Sequence, residues 1–129
     1  MTINLTASVV REGLLALVEQ EGEDFVYEGV KQHDGYPKCV YVRNGEPDCI
    51  VGRLLANLGV PVDRLVEADE DQYMTGVPAA QLLGELREEG VITLATGEGV
   101  ANALAQVQHL QDSRIAWGAA VDSGLVYLK

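Results

Sequence analysis

Apolar positions near the start of the chain recur at helical spacing, with Val10, Leu14, Leu17 and Val18 stacked on one face. Thr6 or Ser8 can cap that stripe and Gly22 can stop it, so the pattern predicts an amphipathic helix over about residues 7–21. The period then changes. Phe25-Val26-Tyr27 suggests a short strand, and His33-Asp34-Gly35-Tyr36-Pro37 has the composition of an exposed turn. Cys39-Val40-Tyr41-Val42 is β-branched and aromatic, and Asn44-Gly45 marks its end. Glu46-Pro47-Asp48 is expected to start a second helix over about residues 48–58. Asp48 would be its cap, Ile50 through Leu58 its apolar run and Gly59-Val60-Pro61 its stop.

Val62 to Ala68 can make one or two helical turns, and the polar stretch from Asp69 to Gly76 is expected to be a loop. Pro78 fits the first turn of a third helix in which Ala79, Leu82, Leu83 and Leu86 share a face, ending at Gly90. Val91 to Leu94 is a short strand candidate. Thr96 is placed to cap a fourth helix that carries Val100, Leu104 and Val107 and continues to about Gln111. Asp112 or Ser113 would cap a last helix bearing Ile115, Trp117 and Val121, with Gly124 as its stop and Leu125 to Leu128 as a closing strand. A chain of 129 residues that is 47% hydrophobic, without repeat or linker, suits one domain over residues 1–129. The expected class is helix-rich α+β, with about four to five helices and a small sheet or hairpin.

Charge narrows the partners. The net charge of −11 disfavours direct binding to nucleic acid or to an anionic membrane surface, and favours a basic protein partner. Residues 1–98 carry 18 acidic and 7 basic side chains, so the last quarter is nearly uncharged. An acidic surface can also imitate nucleic acid and so occupy a nucleic-acid-binding protein. No apolar run approaches a membrane span, and MTINLTASVVREG has none of the regions of a signal peptide, so a cytoplasmic location is expected.

The candidate chemistry is sparse. Cys49 falls at an expected helix N-terminus, where the dipole can activate a thiol, and His33 beside Asp34 is a conceivable base. Against this, free cysteine is usually a buried small hydrophobe, and Glu46 and Asp48 disfavour a thiolate. His33 suits a surface turn, and His109 the polar side of its helix. Both cysteines are expected to be free thiols near a strand-to-helix corner. His33, Cys39, Cys49 and His109 lack the spacing of common zinc sites, and Asp69-Glu70-Asp71 lacks the pattern of an EF-hand, so no metal or cofactor is expected. Thr96-Gly97-Glu98-Gly99 opens a helix but has no Lys-Ser/Thr, and Glu98 would repel a phosphate, which favours a simple cap. The weakly charged tail containing Gln106, Gln108, Gln111, Asp112 and Trp117 suits self-association or a partner surface. The alternative is that Trp117 packs in the core with Val121.

Two segments carry a resemblance: Cys49-Ile50-Val51-Gly52-Arg53-Leu54-Leu55 with Leu58-Gly59-Val60, and Gln108-x-x-Gln111-Asp112 with Trp117-Gly118-x-Ala120. Together they resemble small uncharacterised proteins of actinobacteria and their tailed phages. The resemblance covers about a third of the chain, implies no activity, and suggests a phage-encoded, host-directed setting in the host cytoplasm. The leading expectation is therefore a non-enzymatic acidic interaction protein that binds a host or viral protein. The alternative is a small cysteine-dependent enzyme or ligand-binding domain using Cys49 and His33.

Overall fold

The Thr6 hydroxyl accepts a hydrogen bond from Val9 N at 3.2 Å and Gly22, at φ 97°, ends the turn that follows, so the first helix spans residues Ala7–Glu21 as its local signals require. The computed structural model describes residues 2–28, 30–31, 37–38, 40–70 and 78–129. In chain order these form β1 (Ile3–Leu5), α1 (Ala7–Glu21), β2 (Val30–Lys31), β3 (Pro37–Lys38), β4 (Val42–Arg43) and β5 (Glu46–Pro47). They continue as α2 (Ile50–Asn57), α3 (Val62–Glu70), α4 (Ala79–Glu88), β6 (Ile92–Leu94), α5 (Val100–Asp112) and α6 (Trp117–Leu125). The class is helix-rich α+β.

β1 pairs in parallel with β6, Ile3 opposite Ile92 and Leu5 opposite Leu94, and Leu5 and Ile92 turn into the core. β2 pairs antiparallel with β3. The turn expected at His33–Tyr36, Cys39, and the stretch 71–77 of the expected acidic loop lie outside the described residues. Asp69 and Glu70 belong to α3 instead of that loop. Asn44 and Gly45 take φ 54° and 81°, both left-handed, which matches the right-handed twist of a two-residue hairpin. The chain after them is a returning strand, not the start of a helix: Val42 faces Pro47 and Arg43 faces Glu46 across β4 and β5.

Other expectations change for physical reasons. Phe25-Val26-Tyr27 is loop, because its backbone serves a helix and not a ladder: Phe25 O accepts from Trp117 N at 2.8 Å. α5 starts at Val100 after Gly99 in the left-handed region, so Thr96 does not cap it, and neither Asp112 nor Ser113 caps α6, whose N-cap is Ala116. Gly124 lies inside α6, where a Cβ would strike Val107 Cγ2 and lie 3.0 Å from Ala103 O; α6 continues to Leu125 and no closing strand forms. The missing side chain lets α6 close on α5. α5 packs against α2, α4 and α6, and its Ala103, Leu104 and Val107 are fully buried with Leu14, Leu54, Leu82 and Trp117 in one hydrophobic core. Burying each such leucine contributes about 1.5–3 kcal/mol.

Candidate functional site

Gln108 and Gln111, three residues apart on α5, share a face that points into the protein, with 6% and 0% of their surface exposed. Gln111 Oε1 accepts from Ile50 N at 2.8 Å, and its amide donates to Asp112 Oδ1 at 3.0 Å. Gln108 Oε1 accepts from Ala79 N at 2.6 Å, and its amide donates to the Tyr41 hydroxyl at 2.9 Å. Each glutamine therefore caps the N-terminus of a different helix, α2 or α4. The sequence suggested a partner surface here. A buried helix start needs an acceptor for its orphan N–H groups, and an uncharged amide provides one without the desolvation cost of a carboxylate. Of the five residues assigned to that surface only Asp112 is exposed.

Trp117 is also turned inward, fully buried, with the Phe25 ring edge-on at 4.7 Å and 72° and the Arg53 guanidinium 5.1 Å from its ring centre. Its indole N–H has no hydrogen-bond partner among the described residues, a cost of about 1–3 kcal/mol set against burial of the ring. Trp117 N and Gly118 N, the first donors of α6, are taken by the carbonyls of Phe25 and Glu23 at 2.8 and 2.9 Å.

Cys49 is the N-cap of α2, not Asp48, and its Sγ accepts from Gly52 N at 3.4 Å. It is 0% exposed, so solvent and substrate do not reach it. Its suggested partner His33 lies outside the described residues, and His109 is exposed on α5. Among the described residues no three His, Cys, Asp or Glu side chains gather as a metal site requires. The glycine-rich Thr96–Gly99 turn is tied through Glu98 to two other parts of the chain. Glu98 Oε1 accepts from Ala7 N at 2.6 Å, placing a carboxylate at the start of α1, and Lys129 N donates to Glu98 O at 3.0 Å. The anion at that helix start is the protein's own glutamate.

Among the described residues, clefts on the surface include two of interest. The first, about 270 Å³, is lined by Phe25, Tyr27, Arg43, Asp48 and Arg53 among others. Asp48 and both arginines are held internally: Asp48 Oδ2 accepts from the Tyr27 hydroxyl at 2.7 Å and pairs with Arg43 at 3.1 Å, while Arg53 pairs with Glu21 and donates to Asp48 O at 2.9 Å. The Asp48 carboxylate serves this cluster, which is why it does not cap α2.

The second cleft, about 400 Å³, lies between α1 and α6. Leu15 and Val18 form one wall, and Ala116, Ala119 and Val121 the other. Glu23, Asp24 and Asp122 complete the lining, which contains no lysine or arginine. Because Gly118 N is bonded to Glu23 O, α6 starts beside the end of α1 and runs back along it. The groove is open to solvent: Leu15 in its wall is 44% exposed, and Ala119 opposite is exposed as well. The cleft thus combines an accessible apolar floor with an acidic border.

Leu15 and Glu23 were not singled out in the sequence, although a signal exists. Leu15 lies one turn from both Glu12 and Glu19 on the polar side of α1, where a leucine does nothing for the core. Comparison with protein-family models, with curated proteins and with solved structures found no match for the chain.

Proposed function

We propose that this chain is a non-enzymatic acidic interaction protein that binds a basic surface of a host or viral protein, with a phage-encoded, host-directed role in the cytoplasm following from the resemblance stated above. The observation that carries the reading is the group of carboxylates where α1 meets α6. Glu19, Glu23, Asp24 and Asp122 are all exposed, and none has an ion-pair partner among the described residues. By contrast Glu21, Asp48 and Glu89 are each held by an arginine. Charges left open together in this way attract and orient a cationic partner. The buried position of Cys49 and the internal use of Gln108, Gln111 and Glu98 leave these groups committed to the fold.

The test is affinity capture at low and raised salt, followed by titration of the purified captured protein. A basic partner whose affinity falls steeply with salt supports the reading. A partner of neutral or acidic surface whose affinity is indifferent to salt overturns it. A nucleic-acid-binding partner that gives up its nucleic acid to this chain would assign the acidic surface to mimicry.

A further inference from the structure

Resting on that reading, we infer that the α1–α6 groove is the docking site for a cationic amphipathic helix of the partner protein. Two packed helices present ridges and a furrow of side chains, which another helix fills with its own ridges. An extended segment would find no backbone ladder there to take up its N–H and C=O groups. Leu15, Val18, Ala116 and Ala119 give the apolar stripe of such a helix its contact, and the carboxylates at the border meet its basic side chains.

The charge also sets polarity. α1 has no basic residue in its last turn, and Glu19, Glu23 and Asp24 sit at or just past its negative dipole end. Toward the other end of α1, one turn before Leu15, Arg11 and Glu12 offset each other, so the excess negative charge lies at the Glu23–Asp24 end. The basic end of the bound helix therefore faces Glu23 and Asp24. A second copy of this chain is the poorer occupant, because it brings the same open carboxylates to the same groove. A membrane surface is poorer still, being anionic itself.

The experiment uses the full chain and three labelled synthetic peptides of the same length and apolar stripe, with lysine, glutamine or glutamate on the polar face, followed by fluorescence anisotropy. The lysine peptide is expected to bind at least tenfold more tightly than the glutamine peptide, and the glutamate peptide not measurably. Leu15→Asp and Ala119→Trp, one reversing the character of the floor and one filling it, are each expected to weaken the lysine peptide at least tenfold. Glu88→Gln, on the exposed side of α4, is expected to change it less than twofold. Both groove positions are exposed, and circular dichroism checks that each variant keeps its helices.

Failure of the lysine peptide to bind overturns the groove and its helical occupant, while the basic-partner reading stands or falls on the salt dependence of the captured protein. Salt-sensitive binding that neither groove variant alters overturns the groove and leaves the basic-partner reading standing. Equal binding of the lysine and glutamine peptides overturns the charge argument. Concentration-dependent dimerisation abolished by Leu15→Asp would assign the groove to a second copy and overturn the proposed occupant.

Discussion

Gln111 Oε1 lies 2.8 Å from Ile50 N, across 61 residues of sequence, and closes the start of α2 from the middle of α5. The Cys49 thiol serves only Gly52 N at that helix start. Gln111→Leu removes the acceptor while leaving the site buried, so Ile50 N–H is orphaned in the core. The variant is expected to lose about 1–3 kcal/mol in urea unfolding, and the Ile50 amide is expected to lose hydrogen-exchange protection more than amides of α4. Gln108→Leu should reverse that order, exposing Ala79 first. Equal effects on both helices in both variants would count against separate capping roles.

Glu98 plays the same part for α1 with a charge. Its carboxylate accepts from Ala7 N at 2.6 Å while Thr6 takes Val9 N. Glu98→Ala is expected to cost about 0.5–2 kcal/mol, and Glu98→Gln less, because the amide keeps an acceptor but not the charge at the dipole's positive end. Chemical denaturation of the three proteins checks the order.

These contacts mark what local sequence can and cannot disclose. α1 was legible because Thr6, the stripe from Val10 to Val18 and Gly22 act within the helix itself. Asn44-Gly45 was legible because a two-residue hairpin depends on its own φ angles. β1 was not, because three residues become a strand only when Ile92–Leu94 arrives beside them from the far side of the chain. Gln108 and Gln111 were conspicuous as polar residues in a weakly charged tail, but their partners Ala79 and Ile50 belong to other helices. Chemistry alone could not distinguish internal caps from a binding surface. The groove was least visible, since its walls come from opposite ends of the sequence.

Gly118 joins the fold to that groove. A Cβ there would lie 2.7 Å from Glu23 Cβ and 2.8 Å from Glu23 O, in the loop whose carbonyls receive the first donors of α6. Gly118→Ala is expected to cost about 1–3 kcal/mol through forced displacement of that loop. Because Phe25 packs on Trp117, the displacement should also shift tryptophan emission toward longer wavelength. Unchanged emission and stability would mean that the loop gives way without loss.

Arg64 holds Glu89 with two hydrogen bonds, Nε to Oε1 and Nη2 to Oε2, each 2.6 Å. The hydrogen bond from Arg64 holds the Glu89 carboxyl below its ordinary value, desolvation opposing it. A lowered folded pKa means that the pair stabilises the protein above the ordinary glutamate range, and that this contribution disappears as pH falls through the folded value. Wild type should melt above Glu89→Gln at neutral pH, and the two melting temperatures should converge in acid. Raised salt should narrow the gap at neutral pH, because Glu89 is exposed. A gap that persists in acid would trace to something other than the carboxylate.

Glu19 separates binding from stability. It is exposed in the last turn of α1, facing the negative end of the dipole with Glu23 and Asp24 close behind, and it has no ion-pair partner among the described residues. Selection for stability alone favours a cation there. Glu19→Lys is expected to stabilise the free protein by about 0.3–1 kcal/mol, while weakening the lysine-faced peptide by removing attraction at the acidic end of the groove. The two effects have opposite signs, which a purely structural role does not produce. Thermal melts of the free protein and peptide titrations of the same sample measure both. A variant that is more stable and binds as well as wild type would show that this carboxylate contributes nothing to docking, and would move the acidic contact to Glu23, Asp24 and Asp122.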